Sequence, residues 1–139
     1  MNLQPEAAKS LARWHVMVDR RDLSAVEELL HPAVVFRSPM AHHPYPTSPV
    51  VSTILRTVLT IFEDFTYHRS LATDDGASVV LEFSARVGSR ELKGIDFIRF
   101  DEAGKIVDFE VMIRPLSGLQ ALGEQMGAKL APYLAAMKR

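Results

Sequence analysis

The sequence contains no cysteine among its 139 residues. That absence excludes disulfides, zinc–thiolate and iron–sulfur sites, and thiol catalysis. The formal net charge is only -1, and no basic run or stripe is present, so we expect no nucleic-acid partner. Apolar runs are broken well short of a membrane span, and the first ten residues lack a signal-peptide pattern. We therefore expect one cytoplasmic domain over residues 1–139 that does not bind membranes.

The N-terminal half has the periodicity of helices. The first helix, over residues 5–21, has a face that repeats at i, i+3, i+4 and i+7 and consists of Leu11, Trp14, His15 and Val18. A short second helix is predicted to begin at Asp22 and to end before Pro32, because the residue before a proline disfavours the α region. A third helix should begin at Ser48 and end near Asp64.

From about residue 65 the pattern changes to a period of two, which indicates strands. The pattern predicts four strands that form an antiparallel meander and end near Arg114. A short strand over Val34–Ser38 is predicted to join the sheet at its edge. Ser117 and Gln120 predict the cap of a last helix, which Pro132 should bend or end. Helices followed by a hairpin sheet indicate an α+β fold.

Asp96 lies on an apolar strand face, which is the chemical oddity of this sequence. Successive strand residues face opposite sides, so Asp96 shares its face with Ile98 and Phe100. Burying an ionised carboxylate is costly, so such a group is paired, protonated, or placed in a cavity that uses it. Two interpretations stay open: Asp96 lines a ligand pocket and acts in catalysis, or it is satisfied by a nearby arginine or by backbone groups.

Two stretches of the chain resemble ketosteroid isomerase. Residues 14–40, WHVMVDRRDLSAVEELLHPAVVFRSPM, align without gaps, and residues 95–107, IDFIRFDEAGKIV, repeat its isoleucine–aspartate strand and Ala-Gly-Lys turn. With the order of elements, this resemblance implies the nuclear transport factor 2-like (SnoaL-like) superfamily and one domain over residues 1–139. The implied fold is a cystatin-like cone, in which a curved, mostly antiparallel sheet wraps around three N-terminal helices and a C-terminal helix follows.

The resemblance also implies roles for three residues. Asp96 stands where the isomerase keeps a protonated aspartate that donates to the substrate oxyanion. Trp14 replaces the tyrosine that is the second oxyanion donor, and its indole N–H still donates. Ser38 replaces the general-base aspartate and cannot shuttle a proton as a carboxylate does. The isomerase's own mechanism is therefore not expected here.

The predicted pocket combines apolar walls with a few polar groups, as small-molecule sites do. We predict that Asp96 and His15 are the catalytic residues, although His15 can equally be a core or rim histidine. The predicted ligand-binding residues are Trp14, Phe36, Ser38, Met40, Tyr45, Phe62, Tyr67, Phe83, Ile98 and Phe109. Trp14, Tyr45 and Tyr67 can alternatively be packing residues. His42 and His43 have no further ligands nearby in sequence, so neither a metal nor another cofactor is predicted.

Two functions fit these patterns. The first is a SnoaL-like protein that binds a small, largely apolar molecule and, if it is an enzyme, acts as an isomerase, cyclase or dehydratase by oxyanion stabilisation. The second is a non-catalytic dimeric binding module, with a filled interior and a paired Asp96. In either case the outer sheet face carries Phe97 and Met112 among charges of both signs, which predicts a homodimer; a solvated face is the alternative.

Overall fold

The computed structural model describes residues 1–137 and has the predicted α+β fold. Its elements in chain order are α1 (Pro5–Asp19), a 3-10 helix (Val26–Leu29), β1 (Leu30–Arg37), β2 (Tyr45–Pro46), α2 (Ser48–Ile61), β3 (Glu63–Ala72), β4 (Ser78–Val87), β5 (Arg90–Phe100), β6 (Ile106–Arg114) and α3 (Leu116–Met137). Within residues 1–137, no helix has both the length and the apolar character needed to cross a membrane.

One curved sheet carries all six strands, in the order β2-β1-β6-β5-β4-β3. Strands β3 to β6 form the predicted antiparallel meander. The sheet differs from the prediction in that β1 pairs in parallel with β6, and the short β2 adds the edge strand beyond it. The predicted edge strand is therefore internal, and the sheet has six strands instead of five.

The second predicted helix was wrong in extent. Only the single 3-10 helix forms, and Pro32 lies inside β1 instead of ending a helix. The pairing of β1 with β6 is interrupted between Leu30 and Val35, so the missing N–H of Pro32 removes no ladder hydrogen bond. Helix α3 likewise continues past Pro132 to Met137.

The core lies between the inner face of the sheet and the helices. Helix α1 buries Leu11, Trp14 and Val18 there, as its periodicity predicts. On β4 and β5 burial alternates residue by residue, so Leu81 and Phe83 point inward with Asp96 and Ile98. Asp96 therefore lies on the apolar face that its strand position predicted.

Candidate functional site

A cavity of about 190 Å³ lies between the sheet, the helices and the loop before β2. Its walls are almost entirely apolar side chains. The residues with polar side-chain atoms among them are Trp14, Ser38, Tyr45, Tyr67 and Asp96. A mostly apolar cavity with a few placed polar groups is the usual form of a small-molecule site.

Asp96 is the chemically distinctive group of this cavity. It is 6% exposed, and its strand neighbours Leu81 and Val111 are apolar. Burial raises the pKa of Asp96 to about 7, against the opposing effect of a hydrogen bond from Tyr67. The carboxyl group therefore holds its proton in mildly acidic solution, where an exposed aspartate would be ionised.

Tyr67 connects Asp96 to Trp14. The phenol oxygen of Tyr67 lies 2.5 Å from Asp96 Oδ2, to which it donates, and it accepts a hydrogen bond of 2.9 Å from Trp14 Nε1. Burial, together with the nearby Asp96 carboxyl, raises the pKa of Tyr67 well above its usual value. Tyr67 therefore stays a neutral phenol and remains a donor to Asp96.

The other carboxyl oxygen of Asp96 is available to the cavity. Oδ1 makes no hydrogen bond to any residue that the structure describes, and no fully buried side-chain oxygen in that part of the chain lacks a partner. Oδ1 therefore keeps accessible surface, and the cavity is the space that Asp96 lines. A ligand atom there can meet the carboxyl group without displacing a protein partner.

Two β-bulges in β3 position Tyr67. Between Glu63 and Thr66, and again between Tyr67 and Ser70, β3 advances three residues while β4 advances two. Such bulges bend a strand and re-aim its side chains. The second bulge also explains the position of Leu71, which strict alternation would place on the same face as Tyr67 but which is 66% exposed.

Trp14 is held by its surroundings on α1. Its side chain is 4% exposed, and its ring meets the edge of Phe109 at a centroid distance of 5.3 Å. The resemblance implied that the indole N–H donates to a ligand, but that N–H is occupied by Tyr67. Trp14 therefore lines the cavity with its ring and acts on Asp96 only through Tyr67.

Most of the predicted pocket residues come together at the cavity. Those that line it are Trp14, Phe36, Ser38, Met40, Tyr45, Phe62, Tyr67, Asp96 and Phe109. Phe83 and Ile98 do not line it, and here the prediction needs correction. The ring of Phe83 packs over Gly94 and stacks against Phe65, so Phe65 forms the wall in front of it. Ile98 is fully buried in the core cluster that includes Trp14.

His15 lies outside the cavity, which corrects its predicted catalytic placement. It borders a separate polar cleft with Asp19, Arg21 and Asp64, and Tyr67 separates that cleft from the cavity. The His15 ring meets the Tyr67 ring edge-on at 5.2 Å. Burial lowers the pKa of His15, with Asp19 opposing the shift, so the imidazole is neutral at neutral pH.

Ser38 has a structural task at the cavity rim. Its Oγ accepts a hydrogen bond of 3.0 Å from the Met40 N–H, which closes a turn at the start of the loop over residues 38–44 between β1 and β2. His42 and His43 in that loop are exposed, and no group of three side chains that could ligate a metal occurs within residues 1–137. The loop and the adjoining β2 contribute walls to the cavity through Met40 and Tyr45.

The C-terminal helix contributes cavity walls that the sequence did not predict. Its lining residues are Leu122, Gly123, Met126, Gly127 and Leu130. Their helical spacing is visible in the sequence, but nothing in that spacing says which space the apolar stripe covers. Met40 of the loop lies against Gly123, where an added Cβ would come within 2.6 Å of the methionine methyl group. Helix and loop thus meet over the cavity.

Among the residues that the structure describes, Asp96 supplies the one carboxyl group along the cavity walls. The other ionisable side chains along its walls are the phenols of Tyr45 and Tyr67. A protonated Asp96 can donate to a ligand oxygen and stabilise negative charge that develops on it. The arrangement thus supplies a hydrogen-bond donor in apolar surroundings, without a separate carboxylate to remove a carbon-bound proton.

Comparison with known proteins places the chain among structures of the same fold. A crystal structure described as a steroid delta-isomerase from Pseudomonas aeruginosa is 70% identical, covers 97% of this chain and 98% of its own, and has a TM-score of 0.94. An uncharacterized protein with a cystatin-like fold from Silicibacter pomeroyi is 31% identical over 93% and 90% of the two chains, with a TM-score of 0.84. A nuclear transport factor 2-like protein of unknown function from Mesorhizobium loti is 13% identical over 83% of this chain and 100% of its own, with a TM-score of 0.70, and shares the fold alone.

No curated protein matches the sequence. The SnoaL-like domain family matches residues 11–109, which is more than half of the chain and includes Trp14, Ser38, Tyr67 and Asp96. The sequence resemblance to this superfamily is confirmed by that match and by the shared fold. The chain belongs to the SnoaL-like domain family.

Proposed function

We propose that the protein binds a small, largely apolar molecule through one oxygen atom, and that Asp96 donates a hydrogen bond to that oxygen and stabilises negative charge on it. The observation that carries the proposal is the buried Asp96 carboxyl, whose Oδ1 borders an apolar cavity of about 190 Å³. In such surroundings a single donor is worth more than in water, because no solvent competes with it.

The protonation state of Asp96 supports this role. Burial raises its pKa to about 7, so below that pH the carboxyl group is a neutral donor. A ketone oxygen that gains charge during enolisation strengthens its hydrogen bond to such a donor. Tyr67 stabilises the carboxyl group from the opposite side through Oδ2 and leaves Oδ1 for the ligand.

Steroid ketones are the ligand class that we propose to test first. The 70% identical relative is described as a steroid delta-isomerase. Isomerisation of an unsaturated ketone needs a base that moves a proton between two carbon atoms, and Ser38 does not supply one. We therefore propose tight binding of the ketone, with isomerisation limited by this missing base.

The proposal is tested with two variants of Asp96 and the steroid ketone testosterone in isothermal titration calorimetry. Asp96→Leu removes the donor and should weaken binding about tenfold. Asp96→Asn keeps an N–H donor that cannot ionise, so it should match the wild type at pH 5.5 and bind more tightly than the wild type at pH 8.5. Asp74→Asn changes an exposed turn residue and is the control. Equal affinities of the wild type and Asp96→Leu at pH 5.5 would contradict the proposal.

We further propose that a second copy of this chain covers the outer sheet face. An outer patch of Val80, Ile95, Phe97 and Met112 lies on adjacent strands, and Met112 is 46% exposed. Charges of both signs surround it, including Glu82, which holds Arg69 at 2.6 Å, and Asp108, which holds Arg37 at 3.0 Å. A face with both signs around an apolar centre is self-complementary about a twofold axis.

Light scattering coupled to size exclusion tests this interface. At micromolar concentration the wild type should elute with twice the monomer mass, whereas Met112→Lys should elute as a monomer because it places a charge in the apolar centre. Leu116→Lys, at an exposed position on α3, is the matched control and should stay dimeric. A monomeric wild type would overturn the dimer and leave the cavity proposal intact. A purely non-catalytic dimer is less favoured, because that alternative predicts a filled interior.

A further inference from the structure

Trp14 fixes the direction of the hydrogen-bond chain that ends at Asp96. An indole N–H donates and never accepts. Trp14 Nε1 donates to the Tyr67 oxygen at 2.9 Å, and among the described residues the phenol hydrogen has one acceptor within reach, Asp96 Oδ2 at 2.5 Å. The chain therefore runs from indole to phenol to carboxyl, since the reverse direction at Asp96 would leave the phenol hydrogen without an acceptor.

This direction determines which carboxyl oxygen carries a proton. Oδ2 accepts from Tyr67, so when Asp96 is protonated its proton sits on Oδ1, the oxygen that has no partner within the described residues. The cavity thus faces an O–H group. If the chain ran the other way, Oδ2 would donate to Tyr67 and Oδ1 would present a carbonyl oxygen to the cavity.

We propose that Trp14 is a positioning residue which, through Tyr67, makes Asp96 a donor toward the cavity and so selects ligands that present an acceptor oxygen, such as a ketone or an enolate. The proposal deepens the proposed function and rests on it for the ligand class. The direction of the chain itself rests only on the two contacts and on the chemistry of the three side chains.

Removing the indole N–H has two expected effects. The Tyr67 oxygen loses its donor and becomes a weaker donor to the carboxylate, because hydrogen bonds in a chain polarise one another. The pKa of Asp96 should then rise by a few tenths of a unit. The Tyr67 hydrogen is also free to turn away, so the Asp96 proton can move to Oδ2, and the affinity for a ketone should fall at least about twofold.

The indole N–H of Trp14 can be replaced selectively, because the chain contains one tryptophan. Growth with benzothienylalanine, which has sulfur in place of the N–H, alters Trp14 alone and keeps its shape. Trp14→Phe is the genetic counterpart. Met17→Leu is the control, because Met17 is also buried on α1 but does not line the cavity and has no N–H group.

The experiment is a ¹³C NMR titration of the labelled Asp96 carboxyl in the ligand-free protein, as a double-mutant cycle with Tyr67→Phe. Loss of the indole N–H should raise the Asp96 midpoint in the wild-type background and leave it unchanged in the Tyr67→Phe background, while Met17→Leu leaves it unchanged. An equal shift in both backgrounds, or none in the wild type, would overturn the proposal. The titration needs no ligand, so a failure to bind testosterone would overturn the proposed function without changing this result.

Discussion

At the scale of single residues, Asp96 owes its properties to burial and to one phenol. Its face was predictable, because strand alternation alone places it with Ile98 and Phe100. Its partners were not, since Trp14 and Tyr67 lie 53 residues apart in sequence and meet only through the fold. The Trp14 N–H was expected to face a ligand, but it donates to the Tyr67 oxygen, while the indole ring packs against Phe109.

Asp96 should make stability fall as the pH rises. Its pKa is raised from 3.8 to about 7 in the folded protein, so between these values the folded state holds a proton that the unfolded state has released. The stabilising contribution is fully present below about pH 4 and is lost as the pH rises through about 7. At about 1.4 kcal/mol per pKa unit, the total is about 4 kcal/mol.

Urea unfolding of the wild type and of Asp96→Asn from pH 4 to pH 8 measures this contribution. The amide cannot ionise, so the free energy of unfolding of the wild type should decline relative to that of Asp96→Asn over this range. Subtracting the variant removes the contributions of all other titrating groups. A difference between the two proteins that stays constant with pH would show that Asp96 ionises normally.

Ser38 is the second residue whose identity shapes the expected chemistry. Ser38→Asp places a carboxylate at the cavity rim and keeps an acceptor for the Met40 N–H, so the turn is preserved. The introduced carboxylate can take a proton from the carbon next to the ketone and return it at the far end of the double bond, while Asp96 stabilises the oxygen. The rate of isomerisation of a β,γ-unsaturated steroid ketone should rise at least about 10²-fold.

The matched control is Ser38→Asn, which has the same shape and turn acceptor but is not a base. Ultraviolet absorbance of the conjugated ketone product follows the reaction. Equal rates for Ser38→Asp and Ser38→Asn would mean that the rim position does not reach the reacting carbon. Adding Asp96→Leu to Ser38→Asp should abolish the increase in isomerisation rate, because both carboxyl groups act on the same ligand.

At the scale of elements, the main helices and the meander were predictable from the spacing of hydrophobic residues. The β-bulges, the place of Pro32 and the parallel strand pairing were not predictable from it. The β3 bulges have no sequence signal of their own, and they explain why Tyr67 faces inward and Leu71 outward. Pro32 was expected to stop a helix and instead occupies an unpaired part of β1. Parallel pairing of β1 with β6 joins segments about 70 residues apart, which no local pattern reveals.

Thr47 is a strained residue at the end of the loop that lines the cavity. Its backbone has φ 78° and ψ 147°, a region that is almost exclusive to glycine. Its N–H donates to the Val34 carbonyl at 2.8 Å and its carbonyl accepts from the Val51 N–H at 3.0 Å, and these contacts hold it there. Both are backbone hydrogen bonds, so they survive a change of side chain.

Thr47→Gly should therefore stabilise the protein by about 1 kcal/mol, since it relieves strain that exceeds the added freedom of the unfolded chain. Thermal and urea unfolding measure the effect. Glu91→Gly, at an exposed and regularly paired position in β5, is the control and should destabilise by a similar amount, as glycine does in an ordinary strand. Destabilisation by Thr47→Gly would show that the threonine side chain, and not the backbone, holds this turn.

At the scale of the whole molecule, the cavity is a joint product of both halves of the chain. Trp14 on α1, Tyr45 on β2, Asp96 on β5 and Met126 on α3 all reach it. From the sequence it was possible to predict that Asp96 lies in a pocket and to name most of the side chains that line it. The reason is that the family resemblance implied a cone-shaped fold. The sequence did not predict the wall formed by α3, since an amphipathic stripe does not specify what it packs against.

The most direct test of the central claim is infrared difference spectroscopy of a ¹³C-labelled ketone carbonyl, as in labelled testosterone, bound to the protein at pH 5.5. We predict that its stretching frequency is lower in the wild type than in Asp96→Leu, because a donor on Asp96 Oδ1 weakens the C=O bond, and that the lowering disappears at pH 8.5. The same frequency in both proteins at pH 5.5, with the ketone bound, would contradict the account.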